Sequence, residues 1–335
     1  MKILIVTAEQ LRQDERYTDD KGWAFKNSFE RLGVQTETFI YRKKGTLAFL
    51  EKKKHIKDLW RTFMNKKLIM HVRRSSPDIL MLSRAETVLP ETLRLIRKST
   101  QTIIINVFTD NPLYMGNFDA IEPCHCFFVK DTYVLDALKK VGLKNVFYLP
   151  QCTNPDICKP MVLSGQEKKT FSSEISLIGS MYPYRLKLLE EIADLNLGIW
   201  GKGWEKAADK RITMHVRGGD IRGSKKTMAI NGSAISLNPH HPLNDIKGTN
   251  SRTFDIAACK SFMLTDYKED IDDLLKIDKE VICYRTPEEL KDLVQYYLKN
   301  PAERMKVAEA AYRRVLRDHT YDNRAREILD IAKKA

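Results

Sequence analysis

The stretch N-P-H-H-P-L-N-D-I-K-G-T-N-S-R-T-F-D-I-A-A-C-K-S-F-M-L-T-D, residues 238–266, decides the fold of this chain. It starts at the end of an apolar strand, A-I-S-L-N, passes through a polar loop, and enters a helix predicted to begin at about Ser251. A second strand, S-F-M-L-T-D, follows at once. A strand, a loop, a helix and another strand in this order are typical of an open α/β sheet. In such a sheet the start of the helix points into the crevice where ligands bind.

The start of this helix is predicted to bind a phosphate. The first N–H groups of a helix have no partner inside the helix and favour an anion. Asn250, Ser251, Arg252 and Thr253 add polar and cationic side chains at the same end, and Asp255 lies about one turn further in. A nucleotide would suit this arrangement, with its phosphates at the helix end and its ribose hydroxyls on the Asp255 carboxylate.

A purely structural interpretation of the same residues remains open. Ser251 would then be only the N-cap of the helix. Asp255 would be only a favourable negative charge near the positive end of the helix dipole.

The run N-x-R-T-F-D-I-A-A-C-x-x-F-x-L-T-D resembles the CgeB-like, spore-maturation-type glycosyltransferases, a branch of the GT-B superfamily. That family usually has N-x-R-x-F-E-I-A-A-C-G, so Asp255 stands where Glu is commoner and Lys260 where Gly is commoner. The resemblance covers residues 175–329. Across the first half it rests on the order of elements and on the D-N-P of residues 110–112. The resemblance implies a nucleotide-sugar donor held by the C-terminal domain, and it favours retention of anomeric configuration.

The predicted fold class is α/β of the GT-B type, with two doubly wound Rossmann-like domains facing each other across a cleft. A length of 335 residues suits two domains. Strands and helices alternate in both halves, which indicates parallel sheets covered on both faces. We predict an N-terminal acceptor domain (1–150), a linker (151–170), a nucleotide-sugar domain (171–318) and a C-terminal segment (319–335). The resemblance implies that the last segment crosses back to the first domain.

Composition indicates a folded protein without a membrane span. The hydrophobic content is 43%, and no apolar run approaches the roughly 20 residues that cross a bilayer. The opening M-K-I-L-I-V-T-A-E turns acidic at once, so it is interpreted as a first strand and not as a signal peptide. The expected location is cytoplasmic. A peripheral position at the inner face of the membrane is the alternative.

Six cysteines follow no disulfide pattern and are expected to be reduced thiols. Cys124, His125 and Cys126 with Cys152 and Cys158 offer an alternative, a zinc site. A C-x-C spacing matches structural zinc sites poorly. The Asp-rich run D-I-D-D at 270–273 is interpreted as helix capping and not as a metal-binding Asp-x-Asp. We therefore predict no metal and no cofactor other than the nucleotide-sugar substrate.

The positive charge is concentrated in one segment. The chain has a formal net charge of +13, and residues 42–74 hold 12 basic and 2 acidic residues. Part of this segment has apolar residues at helical spacing, which predicts a helix packed on the sheet with a solvated lysine face. The alternative is an amphipathic segment that contacts an anionic membrane or an acidic acceptor.

Three groups of residues are candidates for holding the donor. The diphosphate candidates are Gly179 and Ser180, in the turn that follows the first strand of the second half, and Arg185. Arg185 lies five residues after Ser180 and resembles the phosphate-binding cation of the family. Candidates for the base or phosphate side of the cleft follow the next strand: Gly201, Lys202 and Trp204. His240 and His241 end a strand that meets the same crevice. His240 is predicted to be catalytic and His241 to contact the donor. A core tryptophan and a structural histidine are the alternatives.

The group that acts on the acceptor is expected in the first domain. Asp110 follows the apolar strand I-I-I-N-V-F-T, at the carboxyl end where ligands of open sheets lie. A carboxylate there can accept the proton of an acceptor hydroxyl. A plain Asp-Asn-Pro turn is the alternative, and Glu9, after the first strand, is a second candidate.

These observations predict a metal-independent glycosyltransferase. It would move a hexose from a nucleotide-diphosphate sugar, UDP-linked by expectation, to an unidentified acidic or membrane-associated acceptor. The acceptor classes left open are a glycan, a lipid-linked molecule, a protein and DNA. The alternatives from other classes are a nucleic-acid or anionic-lipid binding protein with a non-catalytic sheet site, a DNA-modifying glycosyltransferase and a sugar-nucleotide epimerase.

Overall fold

The computed structural model describes residues 1–7, 21–41, 54–85, 87–116 and 118–334, with side chains of the second helix from residue 58 onward. Glu9 and the first part of the basic segment, residues 42–53, lie outside these ranges. The chain divides into two compact units, Met1–Pro150 with Tyr321–Ala335, and Gln151–Thr320.

The first unit alternates strands and helices, and its elements are β1 (Lys2–Thr7), α1 (Lys21–Arg31), β2 (Gln35–Ile40), α2 (Lys54–Ser75), β3 (Ile79–Ser83), α3 (Pro90–Ser99), β4 (Ile103–Phe108), α4 (Pro112–Met115), β5 (Cys126–Val129), α5 (Thr132–Lys140), β6 (Val146–Tyr148) and the C-terminal α14 (Tyr321–Ala332). Within the described residues its sheet has six parallel strands in the order β2-β1-β3-β4-β5-β6.

Both faces of this sheet are covered, which explains its continuous apolar strands. Leu4 and Val6 of β1 point into one core, where Leu68 of α2 also packs. Ile3 and Ile5 point into the opposite core, which contains α1 and α14. The C-terminal helix belongs to this unit by its contacts: the ring of Tyr321 meets that of Phe25 edge to face at 5.0 Å. Asp322 also pairs with Arg31 at 2.6 Å.

The second unit repeats the architecture, with the elements α6 (Gly165–Phe171), β7 (Ser173–Ile178), α7 (Pro183–Glu190), β8 (Leu197–Trp200), α8 (Lys210–Thr213), β9 (Val216–Gly218), α9 (Gly223–Asn231), β10 (Ser233–Asn238), α10 (Ser251–Ala258), β11 (Met263–Asp266), α11 (Ile271–Leu274), β12 (Ile282–Tyr284), α12 (Pro287–Lys299) and α13 (Pro301–Asp318). Its described strands form a six-stranded parallel sheet in the order β12-β11-β10-β7-β8-β9. The strand order reverses between β7 and β10, and ligands of such sheets bind beyond the carboxyl ends of the strands at that reversal.

The predicted fold class of two doubly wound parallel sheets is confirmed. Two local features differ from the sequence-based expectation. The short strand β9 was not predicted, because its three residues lie in a polar, glycine-rich run. Helix α6 begins inside the predicted linker, where Ser164 and Glu167 form a capping box that fixes its start.

Among the helices in the described ranges, none has the length and hydropathy needed to cross a bilayer.

Candidate functional site

Arg185 joins the two strands at which the second sheet reverses its order. It lies in the first turn of α7 and is buried. Its Nε and Nη2 donate to the Pro239 carbonyl after β10, at 3.2 and 2.8 Å. Its Nη1 donates to the Ser180 carbonyl after β7, at 2.8 Å. The guanidinium is therefore fixed at the carboxyl edge of the sheet, where the sequence predicted a phosphate-binding cation.

A second guanidinium lies beside the first. A Cβ added to Gly179 would come within 2.6 Å of Arg185 Nη1 and 3.0 Å of Arg252 Nη1, so the two cations meet at this glycine. Gly179 has a φ of +151°, which glycine adopts easily. The Nε of Arg252 donates to Asn238 at 3.0 Å. Within the described part of the chain, its two terminal nitrogens make no hydrogen bond. They remain free to bind an anion.

Two buried cations lie side by side at this point, with carboxylates near them. Burial, with a further contribution from the neighbouring Arg252, lowers the pKa of Arg185 to about 9. Burial also lowers the pKa of Arg252, although nearby carboxylates, Asp245 first among them, oppose the shift. Arg185 remains protonated at pH 7. Two cations held together away from water favour an anionic ligand between them.

The N-terminus of α10 is capped by a side chain. The N-cap is Asn250, whose Oδ1 accepts the Arg252 amide at 2.9 Å, and not Ser251, which is the first residue of the helix. The helix therefore offers one free amide fewer than the sequence suggested. The Ser251 side chain is half-buried at the same end, next to the Arg252 that follows it.

A buried polar network behind the site positions Arg252. Asn238, the last residue of β10, accepts from Arg252 Nε and from Asn250 Nδ2, at 3.0 and 3.2 Å. Its Nδ2 donates to Thr253 Oγ1 at 3.1 Å. Thr253 is fully buried, so it supports the network and does not face the crevice. Asn238 thus links the end of the strand to the helix start.

His240 continues this network into the core. Its Nδ1 lies 2.7 Å from Asp266 Oδ1, and its backbone N–H donates to the same oxygen at 2.8 Å. Burial opposes ionisation of Asp266, but the contacts with His240 and Lys268 outweigh it and hold the pKa of Asp266 below its ordinary value. The His240 side chain is 0% exposed. In this arrangement it cannot touch a sugar, so we assign it a positioning role in place of the predicted catalytic one.

His241 lies nearer the crevice than His240. It is half-buried, its ring meets that of Tyr182 edge to face at 4.3 Å, and its Nδ1 accepts the Leu243 amide at 3.2 Å. The same Tyr182 ring lies 5.0 Å from the Arg185 guanidinium. His241 is therefore close to the cationic pair.

The residues after β8 differ in their roles. Gly201 is required by packing, because a Cβ there would lie 2.1 Å from the Gly179 carbonyl oxygen. Trp204 is fully buried, and its Nε1 donates to that same oxygen at 2.7 Å, so it orients the Gly179 turn from the core and does not line a pocket. Lys202 is exposed and pairs with Asp220 at 3.2 Å. Of the three predicted residues, Lys202 has a side chain that can reach a ligand.

Asp255 is an ion-pair partner in the interior of the second unit. Its Oδ2 lies 3.0 Å from Lys226 Nζ, and its Oδ1 accepts from Thr153 Oγ1 at 2.9 Å. Both charged side chains are buried, at 10% and 7% exposure. A carboxylate has about four lone-pair sites, so these two contacts leave capacity for further donors.

Asp110 of the first unit is also paired. It follows β4 and contacts the Arg84 guanidinium, which follows the adjacent β3. This pair is more exposed, with 39% of the Arg84 side chain and 24% of the Asp110 side chain accessible. Arg84 and Ala85 have φ values of +66° and +34°, an unusual backbone conformation for residues other than glycine.

The residues considered for metal binding have other partners. His125 Nδ1 accepts the Ile104 amide at 2.9 Å. The neighbouring Cys124 and Cys126 are buried thiols that form no disulfide. In the D-I-D-D run, Asp272 accepts the Ile277 amide at 3.1 Å, so it stabilises the turn after α11. Among the described residues, no group of three or more His, Cys, Asp or Glu side chains could hold a metal ion.

Four residues of these sites were not singled out from the sequence: Arg84, Lys226, Asn238 and Asp266. Asn238 and Asp266 could have been identified from the sequence, since each is a polar residue at the carboxyl end of an apolar strand. Lys226 and Arg84 carried none, because a lysine inside a polar helix or an arginine after a strand is ordinarily a surface residue.

Comparison with known proteins shows what the chain is similar to. Residues 185–330 match the model of a family described as glycosyl transferase-like. The chain is 26% identical over 271 residues to the spore protein CgeB of Bacillus subtilis (strain 168), and the match covers 76% of this chain and 82% of that protein. Its fold is similar to that of sucrose-phosphate synthase of Thermosynechococcus elongatus, with a TM-score of 0.69 and 10% identity over 99% of this chain and 98% of that one. HepE of Anabaena, solved in complex with UDP-glucose, has a TM-score of 0.65 and 10% identity over 100% of both chains. The chain therefore matches a glycosyl transferase-like family model over residues 185–330, is similar to the spore protein CgeB, and has the GT-B fold.

Proposed function

We propose that this glycosyltransferase transfers a hexose from a UDP-linked sugar, and that Arg185 and Arg252 bind the diphosphate of the donor. The observation that carries the proposal is the meeting of two guanidiniums at Gly179, with the terminal nitrogens of Arg252 unpaired within the described residues. Arginine binds phosphate through two parallel N–H donors, and such charge-assisted hydrogen bonds are about twice as strong as neutral ones.

The same pair would stabilise the transition state. When the bond between the anomeric carbon and the phosphate oxygen breaks, negative charge grows on the departing diphosphate. Cations that are already fixed in place stabilise that charge without reorganising. Arg185 is fixed by the carbonyls of Ser180 and Pro239, and Arg252 by Asn238. Because these cations supply the positive charge, we propose that the transfer needs no metal ion.

The nucleoside is proposed to lie near Asp255. Its position corresponds to the glutamate of the resembling family motif, and its carboxylate would accept the ribose hydroxyls through the lone pairs that Thr153 and Lys226 leave free. The choice of uridine is supported by HepE, a protein of the same fold that was solved with UDP and with UDP-glucose. Lys202 and His241 are proposed as contacts at the margins of the donor.

The acceptor group is proposed to react at Asp110. This carboxylate lies at the carboxyl end of β4 and would accept the proton of the attacking hydroxyl. Its pairing with Arg84 would hold it in place. Glycan, lipid-linked, protein and DNA acceptors all offer the hydroxyl that the reaction needs.

A thermal-shift panel tests the donor proposal. The protein is heated in EDTA with UDP, UDP-glucose, UDP-N-acetylglucosamine, GDP-mannose or ADP-glucose. A ligand at about 100 times its Kd adds about 2.7 kcal/mol to stability, which raises Tm by roughly 5–10 °C for a unit of this size. We expect UDP and at least one UDP-sugar to give this shift.

Two other outcomes would count against the proposal. Absence of a shift with every nucleotide, together with salt-sensitive binding of DNA, would favour a nucleic-acid binding protein. Conversion of a UDP-sugar into its epimer without an acceptor would favour an epimerase.

A further inference from the structure

Helix α2 has two apolar faces, and one of them is turned to solvent. The inward face contributes Met64, Leu68 and Val72 to the core of the first unit. The outward face carries Leu59, Phe63 and Met70, which are 72%, 48% and 69% exposed. A helix that served only to cover the sheet would have polar residues at these positions.

The three exposed residues form one stripe. At about 100° per residue they fall within an arc of roughly 40°, and the arc lies opposite Leu68. The helix therefore presents a narrow apolar line directly away from the core. The sequence predicted that the apolar residues of this helix, Leu59 and Phe63 among them, pack on the sheet opposite a solvated lysine face, and the structure leaves these two exposed.

Cations border the stripe on both sides. By the same helical geometry, Lys66 and Arg73 lie along one edge, and Lys67 and Arg74 lie along the other. All four are exposed. Lys67 Nζ lies 5.0 Å from the centre of the Phe63 ring. Asp58, the acidic residue in the range 58–75, lies on a different side of the helix.

We propose that this surface, formed by Leu59, Phe63, Met70 and the four flanking cations and here named the α2 surface, docks on a bilayer that contains anionic lipids. The apolar stripe would enter the boundary between headgroups and acyl chains, while the cations would remain at the level of the phosphates. Lys and Arg side chains reach that level easily because their stems are flexible and apolar. This binding surface goes beyond the proposed sugar transfer.

The observations favour a bilayer over two other partners. On a nucleic acid, the apolar stripe would stay in water between the cations, and a single exposed phenylalanine offers little stacking surface. In a symmetric contact between two copies, the four cations of each helix would lie close to those of the other and repel them. A bilayer with anionic headgroups satisfies both the apolar and the charged residues.

Vesicle sedimentation of the full chain tests the proposal. The vesicles contain phosphatidylcholine alone or an equimolar mixture with phosphatidylglycerol, in about 50 mM or about 500 mM NaCl. We expect the protein to bind the anionic vesicles at low salt and to be released at high salt. Leu59→Ser/Phe63→Ser/Met70→Ser should lower the partition coefficient by about tenfold or more. Lys66→Gln/Lys67→Gln should lower it and reduce its dependence on salt.

Matched controls distinguish binding through the α2 surface from nonspecific adsorption to vesicles. Val141→Ser/Met214→Ser/Met305→Ser removes three apolar residues exposed to a similar degree elsewhere, and Lys168→Gln/Lys169→Gln removes two exposed lysines of α6. Both should bind vesicles as the parent protein does. An unchanged Tm for each variant shows that it is folded.

Three results would overturn the proposal. The first is equal binding of the parent protein and the α2 variants. The second is the absence of binding to anionic vesicles at low salt. The third is a change of oligomeric state on removal of the stripe, which would make the α2 surface a contact between copies.

Discussion

The two sheets have the same architecture, but their carboxyl edges carry different charges. In the second unit, Arg185 and Arg252 meet at Gly179 beyond the strands at which the order reverses. In the first unit, Arg84 lies beyond β3 but is paired with Asp110 beyond β4. Both carboxyl edges have an arginine after a strand. The edges differ in whether, among the described residues, a carboxylate forms an ion pair with that arginine.

This difference separates the proposed anion site from an ion pair. The second edge keeps two guanidiniums close together and away from water, which favours a bound anion. Among the described residues, the first edge holds the partly exposed pair of Arg84 and Asp110. We propose the second edge as the donor site and the first edge as the place where the acceptor hydroxyl reacts.

The largest expected effect comes from removing one partner of the buried ion pair. Asp255→Ala removes a buried carboxylate that is ion-paired with Lys226 in the interior, which should lower the free energy of unfolding by about 3–5 kcal/mol. Asp110→Ala breaks the more exposed pair and should cost about 1 kcal/mol or less. Urea unfolding measures both. Equal losses would show that burial does not distinguish the two pairs, and Asp255→Ala/Lys226→Met should recover part of the first loss.

The next largest expected effect tests which of the two carboxyl edges binds UDP. Arg252→Gln removes the guanidinium whose terminal nitrogens make no hydrogen bond within the described residues, and it should weaken UDP binding by about 1.5–3 kcal/mol, or roughly 10–100-fold in Kd. Arg84→Gln is the matched control at the first edge and should change Kd by less than about twofold. Isothermal titration calorimetry in EDTA measures both values. A larger effect from Arg84→Gln would move the anion site to the first unit.

A smaller effect tests the network that supports the second edge. Since the pKa of Asp266 is held below its ordinary value in the folded protein, its contribution to stability is present above that ordinary value, 3.8, and is lost as pH falls through the folded value. Asp266→Asn should cost about 1.5 kcal/mol at pH 7, because it weakens the contacts with His240. The gap between parent and variant should narrow below about pH 4. Urea midpoints at several pH values show this, and a gap independent of pH would contradict the account.

The smallest expected effect tests whether the donor site extends to Lys202. Lys202 is exposed and paired with Asp220, so Lys202→Ala should change UDP affinity by less than about 0.5 kcal/mol. Titration of the variant measures the change. A tenfold loss would show that the exposed lysine closes on the donor and shares the role of the two arginines.

Much of the fold was predictable from the sequence because burial on both faces leaves a strong signal. The apolar runs of β1, β4 and β10 identified the strands, and the segment 238–266 identified the order of elements at the site. Arg252 was predicted as a phosphate ligand from its place at the start of a helix, and Arg185 from its place after the Gly179 turn and its resemblance to the phosphate-binding cation of the family.

The rest depended on side-chain directions that the sequence does not encode locally. Nothing near His240 shows that its ring turns into the core toward Asp266, a contact across 26 residues. Nothing near Asp255 shows that Lys226 reaches it from α9. The outward stripe of α2 was missed for a related reason: the periodicity showed apolar residues, but not which of them the core would leave uncovered.

The central claim is that a departing diphosphate binds where Arg185 and Arg252 meet. The most direct test is a crystal structure of the protein with UDP, grown without divalent metal. The account predicts that the β-phosphate lies within hydrogen-bond distance of the terminal nitrogens of Arg252 and next to Gly179, with the ribose toward Asp255. A diphosphate bound elsewhere, or one that requires a metal ion to bind, would contradict it.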